Sequence, residues 1–88
     1  MKTIVFAGQI YDVNVARLEM NGKNIRDLTP LRELTKIEYL ALEENQITDI
    51  TLLNLLTHLK TLFLCHNQIK DITAVHTLTR FEYAFCLG

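Results

Sequence analysis

The chain has 88 residues, 9 of them basic and 10 acidic, with a net charge of −1. This length suffices for one small domain, and the near balance of charge gives no electrostatic reason to expect nucleic acid or an anionic membrane as partner. The apolar runs are too short to span a bilayer, and the N-terminus lacks the apolar core and cleavage site of a signal peptide. By default we expect a cytoplasmic protein.

The first 14 residues differ in pattern from the rest of the chain. Short apolar stretches lie on either side of Gly8 and Gln9. Glycine between two such stretches is typical of a turn between strands, so we predict a strand or a hairpin within residues 3–13, with Gly8 at the turn. We treat residues 1–14 as an N-terminal β cap segment.

A 22-residue pattern repeats over residues 15–88, in rows that begin at Val15, Ile37, Leu59 and Phe81. Apolar residues recur at the same positions of successive rows, and so do an aspartate and a threonine. The recurring residues include Leu18, Leu40, Leu62 and Ala84; Met20, Leu42, Leu64 and Cys86; Ile25, Ile47 and Ile69; Leu28, Ile50 and Ile72; Asp27, Asp49 and Asp71; Thr29, Thr51 and Thr73. Such agreement predicts a solenoid of three full repeats and a partial fourth.

Each row predicts a short strand, a turn and a short helical return. Alternation in row two places Leu40 and Leu42 on one side of a strand and Tyr39 on the other. In row one, Thr29 suits a helix N-cap and Pro30 suits the first helical position. No row can bury its own core, so the rows must stack, with parallel strands near residues 16–20, 38–42, 60–64 and 82–86.

The pattern LxxLxLxxNxIxDI in rows two and three resembles the leucine-rich-repeat family. The row length and the turn sequence are similar to those of the internalin-like class, which is common in bacterial surface and intracellular binding proteins. The resemblance covers residues 15–88, and the segment 4–13 looks like the short β segment that precedes the repeats in some bacterial relatives. Row one departs from the pattern, because Lys23 stands where Asn45 and Asn67 stand in the next rows.

This resemblance implies an α/β fold, a right-handed solenoid with a parallel sheet on its concave face and short helical or 3-10 returns on its convex face. It also implies protein recognition on the concave face, without a cofactor. Asn45 and Asn67 resemble ladder asparagines, whose side chains bond buried backbone groups in the turn. The departure at Lys23 puts such a ladder in doubt at the N-terminal end.

The polar repeats and the reactive side chains could also suggest a metal or catalytic site. The aspartate row could bind calcium, but local bonds to the turn backbone explain it more simply. Cys65 and His66 are adjacent, yet zinc needs three or four converging ligands, and a catalytic cysteine needs a base and an orienting group. The other histidines, His58 and His76, fall at unrelated row positions. We therefore expect neither a metal site nor an enzyme.

The two cysteines are predicted to be free thiols. Cys65 stands at an outward position of its row, whereas Cys86 stands at a core leucine position. Side chains on opposite faces of adjacent strands cannot join in a disulfide, so we expect Cys86 to be a small buried hydrophobe.

The outward strand positions change from polar to apolar along the repeats. A contiguous exposed apolar patch often marks an interface, and aromatic residues dominate binding hot spots. We therefore predict that this patch binds a protein partner, although a longer parent protein could instead cover it. The predicted partner-binding residues are Tyr39, Phe63, Cys65, Tyr83, Phe85 and Leu87.

The leading functional hypothesis is a protein–protein interaction module. The alternative is a truncated or engineered fragment of a larger repeat protein, self-associating through an uncapped C-terminal edge. The last strand, within residues 81–87, has no following row to pair with, and an open aromatic edge favours association. Two-fold symmetry is the commonest closed arrangement, so we predict a homodimer through this strand.

Overall fold

A computed structural model of the chain describes residues 2–71. In this range, a strand hairpin comes first, and from β3 onward short strands alternate with short 3-10 helices. The elements are β1 (Thr3–Phe6), β2 (Gln9–Asp12), β3 (Arg17–Glu19), η1 (Thr29–Glu33), β4 (Tyr39–Ala41), η2 (Thr51–Leu55) and β5 (Thr61–Phe63). The strand predicted near residues 82–86 lies outside the described residues.

Strands β1 and β2 form an antiparallel hairpin within the predicted range. Ala7 and Gly8 make its two-residue turn, and both have positive φ, 51° and 80°, as a type I′ turn requires. Phe6 is buried, and Ile4 and Tyr11 pack against the core of the repeats. The hairpin therefore extends the hydrophobic core beyond row one, whereas the domain boundary at residue 14 stays a prediction.

The turn of this hairpin contains a strained residue, which gives a testable prediction. Ala7 occupies the left-handed region, where its Cβ crowds the following carbonyl, whereas asparagine tolerates that region and Asn-Gly is the preferred type I′ pair. We expect Ala7→Asn to raise the free energy of unfolding by roughly 0.5–1 kcal/mol, measured by urea denaturation. Ala16→Asn, at an exposed alanine outside the turn, is the control, and an Ala7→Asn variant no more stable than wild type would contradict the turn assignment.

The repeat strands form one parallel sheet in the order β3-β4-β5. Leu18 pairs with Leu40 and Leu40 with Leu62, so each strand is offset by one row from its neighbour. All three leucines are buried. The predicted strand positions and inward leucine register are therefore confirmed for the three strands that the structure describes.

The returns on the other side are the 3-10 helices η1 and η2, and η1 begins one residue earlier than predicted. Thr29 is the first helical residue, and Leu28 is the N-cap, with no side-chain bond to the helix. The backbone N–H of Thr29 instead donates to a carboxylate oxygen of Asp27 at 2.9 Å, and the Thr29 hydroxyl donates to the same oxygen. The prediction of Thr29 as N-cap was wrong because Asp27 supplies the acceptor.

The core is a continuous apolar column between the sheet and the returns. It runs from Phe6 in the hairpin to Leu64 in row three. Its two buried polar residues are Asn45 and Asn67, and no buried side-chain nitrogen or oxygen within residues 2–71 lacks a hydrogen-bond partner. Within the same range, no helix is long and apolar enough to cross a membrane.

Candidate protein-binding face

The outward face of the parallel sheet carries the predicted partner-binding residues that the structure describes. Strand alternation turns Tyr39 and Phe63 away from the core, while Leu40 and Leu62 point inward. Both aromatic residues are half-buried. The other predicted contacts of this face, Tyr83, Phe85 and Leu87, lie outside the described residues.

Tyr39 and Phe63 form an aromatic pair across neighbouring strands. Their ring centroids lie 5.6 Å apart at an interplanar angle of 55°, within the range that aromatic pairs prefer. The two residues are diagonal neighbours, because Tyr39 pairs with Thr61 and Phe63 pairs with Ala41. Diagonal positions lie within reach of aromatic side chains, so the contact fixes the orientation of both rings.

Arg17 extends this pair towards the N-terminal end of the sheet. Its guanidinium carbon lies 3.8 Å from the centroid of the Tyr39 ring, and its Nη2 donates to Glu19 Oε1 at 2.8 Å. A cation over an aromatic face at an exposed site contributes about 0.5–1 kcal/mol. We name Arg17, Tyr39 and Phe63 the aromatic stripe. Sequence reasoning missed Arg17 because it sought apolar side chains only.

Glu38 and Lys60 flank the aromatic stripe as an ion pair on neighbouring rows. The Lys60 Nζ lies 3.6 Å from Glu38 Oε1, and each side chain is 53% exposed. Opposite charges at the same position of neighbouring rows therefore pair across the sheet. An exposed pair of this kind contributes little to stability, and it neutralises charge beside the stripe.

Cys65 is disulfide-bonded, so the prediction of two free thiols was wrong. The prediction applied strand alternation at Cys65, but strand β5 ends at Phe63. The opposite-face argument needs a regular strand at both cysteines, and Cys65 lies two residues past the end of β5. Cys65 is half-buried two residues after Phe63, and the other cysteine of the sequence, Cys86, lies outside the described residues.

The buried side chain of Asn45 lies behind the concave face and forms hydrogen bonds with the backbone of two successive rows. Its Oδ1 accepts from the backbone N–H groups of Lys23 at 2.9 Å and Ile25 at 3.0 Å. Its Nδ2 donates to the carbonyl oxygens of Met20 and Leu42, both at 3.0 Å, and to that of Glu43 at 3.1 Å. The side chain therefore satisfies backbone groups of row one and of its own row.

Asn67 repeats this arrangement one row later. Its Oδ1 accepts from the backbone N–H of Ile47 at 3.1 Å, and its Nδ2 donates to Leu42 O at 2.8 Å and Leu64 O at 3.1 Å. Both asparagines are buried. The ladder interpretation of these two residues is confirmed, and it accounts for their burial without any ligand.

The ladder geometry also explains why row one can carry Lys23 in place of asparagine. Each ladder side chain bonds the backbone of the row before it, so Asn45 serves row one and Asn67 serves row two. The β1–β2 hairpin precedes row one and is not a repeat, so a ladder asparagine in row one would have no preceding row to bond. The backbone N–H of Lys23 is itself bonded to Asn45, so the departure does not interrupt the ladder.

Asp27 and Asp49 make equivalent local bonds in the turns before η1 and η2. The side-chain and backbone hydrogen bonds from Thr29 lower the pKa of Asp27, and those from Thr51 lower the pKa of Asp49. Both carboxylates therefore remain ionised at neutral pH, bonded to their own turns. No group of three or more histidine, cysteine or acidic residues in the described range could hold a metal ion.

A left-handed residue follows each of the strands β3, β4 and β5 at the eighth row position, a feature that sequence reasoning missed. Gly22, Glu44 and His66 have φ of 64°, 58° and 61°. Only Gly22 signals this backbone conformation in the sequence, because glycine adopts it without steric cost. The conformation recurs because the chain must turn sharply out of each strand towards the ladder residue, whichever side chain it carries. His66 is therefore a turn residue in a repeated geometry.

Comparison with known proteins agrees with this architecture. Residues 35–76 match the family model described as Leucine Rich repeats (2 copies). The chain is similar to the crystal structure of internalin C2 from Listeria monocytogenes, with 35% identity and a TM-score of 0.66 over 72% of this chain and 27% of that one. It is also similar to the internalin InlF of the same organism, with 38% identity and a TM-score of 0.77 over 83% of this chain and 21% of that one.

The chain thus spans about a quarter of the length of these two internalins. No curated protein sequence matches it significantly.

Proposed function

This chain belongs to the leucine-rich-repeat family, with repeats of the internalin-like class, and we propose that it is a protein-binding module that uses the concave face of its sheet. Leucine-rich repeats in general serve as interaction surfaces rather than as catalysts. The geometry of the aromatic stripe supports the same face for this chain.

The single observation that carries the proposal is the ordered contact of Arg17, Tyr39 and Phe63 on an outward face. Tyrosine and arginine are enriched in binding hot spots. The Tyr39 ring packs between a guanidinium at 3.8 Å and a second ring at 5.6 Å. Side chains already held in place lose less conformational entropy on binding, so a partner gains more affinity from them.

The proposed site extends from the stripe to Cys65 and onward to Tyr83, Phe85 and Leu87. Cys65 follows Phe63 by two residues and is part of a disulfide, so it would act as an apolar contact and not as a free thiol. The three later residues continue the outward positions of the repeat. A partner of protein character, with an apolar surface flanked by polar groups, fits this composition.

Photo-cross-linking tests where the partner binds. A photoreactive phenylalanine analogue replaces Phe63 in one variant and Leu55 in another, and each is irradiated with extracts of the source cells. Leu55 is 48% exposed on the convex η2, so it is more accessible than the half-buried Phe63 but lies on a different face. We expect the Phe63 variant to form a discrete protein adduct that the Leu55 variant lacks. Adducts at Leu55 alone would contradict the concave site.

The homodimer through residues 81–87 remains a separate prediction of the sequence pattern. Light scattering at several concentrations distinguishes it from partner binding, because self-association raises the mass of the isolated chain. A mass that stays monomeric at high concentration, together with the Phe63 adduct, would leave the concave face as the interface. A dimer without any adduct would favour the self-associating fragment.

A further inference from the structure

We propose that the Asn21–Gly22 peptide is a site of spontaneous deamidation on the concave face, and that the pairing of row one with row two controls its rate. Asn21 occupies the seventh position of row one, where row two carries Glu43 and row three carries Cys65. The residue is exposed to solvent. The reaction needs only water, so it is a property of the isolated chain.

The chemistry uses two neighbouring groups of the backbone and side chain. The backbone nitrogen of Gly22 attacks Cγ of Asn21, a new C–N bond closes a five-membered succinimide, and the Cγ–Nδ2 bond breaks. The proton of the Gly22 N–H passes to the departing nitrogen, which leaves as ammonia. Water then opens the succinimide at either carbonyl, giving aspartate or isoaspartate. Glycine favours the attack because it carries no side chain that hinders ring closure.

The sequence makes Asn21 unique among the asparagines. It is the only asparagine followed by glycine, and every other one is followed by a larger residue. Asn21 and Gly22 are both exposed, and nothing lies within 4 Å of the position that a Cβ of Gly22 would occupy. The reacting pair is therefore both chemically favoured and open to water.

The folded structure restrains both reacting groups through one residue of row two. The Gly22 N–H, which must lose its proton to attack, donates to Glu43 O at 2.9 Å. The Asn21 carboxamide oxygen accepts from the Glu43 backbone N–H at 2.8 Å. Ring closure requires the bond from the Gly22 N–H to open, and this opening is local because Asn21 and Gly22 are exposed and lie beyond the end of strand β3.

Deamidation would change the face on which we propose that the partner binds. Isoaspartate routes the backbone through Cβ and adds one methylene between residues 21 and 22, which is incompatible with the bond from Gly22 N to Glu43 O. The adjacent bond, from Met20 N to Ala41 O at 2.8 Å, lies on the same strand pairing. Either product also places a new carboxylate beside Glu43. A deamidated chain therefore has weaker pairing between rows one and two and one more negative charge beside Glu43.

The experiment follows deamidation of the isolated protein at mildly alkaline pH by peptide mass mapping and by enzymatic isoaspartate detection. Wild type is incubated folded and in strong urea, with Asn21→Gln as a control that keeps the amide but disfavours the ring. We expect Asn21 to be the fastest site in both states, with the folded rate at least about tenfold lower, which corresponds to an opening free energy of about 1.4 kcal/mol or more. Asn21→Gln should remove the signal.

A second variant tests whether the pairing of row one with row two, and not only the Asn-Gly sequence, sets the deamidation rate of Asn21. Asn45→Ala removes the bonds that hold Lys23 and Met20 on either side of Asn21, so it should raise the folded rate towards the rate in urea. If Asn45→Ala does not fold, sub-denaturing urea on wild type serves the same purpose. Equal rates in folded and unfolded wild type, or faster reaction at another asparagine, would overturn the proposal.

Discussion

Leu40→Ala should lower the free energy of unfolding by about 2–5 kcal/mol, the usual range for truncating a fully buried leucine. Leu40 has no exposed surface and lies in the central strand, paired with Leu18 on one side and Leu62 on the other. Its loss would leave a cavity that both neighbouring rows line. Because a chain this short has a marginal core, this loss should be a large part of its total stability.

Urea denaturation followed by circular dichroism measures this effect, with Leu55→Ala as the matched control. Leu55 is 48% exposed on η2, so the same truncation there removes little buried surface and should change stability by less than about 1 kcal/mol. Equal losses at Leu40 and Leu55 would mean that the leucine register of the rows is wrong.

Asn45→Ala should lower the free energy of unfolding by at least about 2 kcal/mol, because each buried polar group left unpaired costs about 1–3 kcal/mol. The Asn45 side chain accepts from two backbone N–H groups and donates to three carbonyl oxygens. Asn67→Ala should cost less, about 1–3 kcal/mol, because Asn67 accepts from one backbone N–H, that of Ile47.

Thermal and urea unfolding of Asn45→Ala, Asn67→Ala and Asn14→Ala give the comparison. Asn14 is exposed in the loop before β3, so its truncation is the control and should have little effect. Asn45→Ala as stable as Asn14→Ala would show that water can replace the ladder bonds and that the asparagines do not hold the rows together.

The repeat could be predicted from the sequence because the repeat period and the burial of the leucines both follow from the stacking of the rows. Each row needs the neighbouring rows to cover its leucines, so Leu18, Leu40 and Leu62 must recur at one spacing and pair in register. The hairpin was predictable from a different signal, the glycine between two apolar stretches. Asn45 and Asn67 were recognisable because a buried amide must bond the backbone around it.

The remaining features depend on atoms that no pattern of residue types specifies. The disulfide at Cys65 was missed because the opposite-face argument needs a regular strand at both cysteines, and a pattern of residue types does not show that β5 stops at Phe63. The 3-10 helix η1 begins at Thr29 because Asp27 supplies the acceptor that a capping threonine would otherwise provide. Arg17 joined the candidate site only when its guanidinium was found over the Tyr39 ring.

The most direct test of the proposed function is the affinity of the cross-linked protein partner, measured by isothermal titration with wild type, Phe63→Ser and Leu55→Ser. Circular dichroism first establishes that all three chains are folded. A hot-spot residue costs at least about 2 kcal/mol when truncated, so we expect Phe63→Ser to weaken binding by about thirtyfold or more and Leu55→Ser to leave it unchanged. Unchanged affinity in Phe63→Ser, or a loss in Leu55→Ser alone, would contradict a binding site on the concave face.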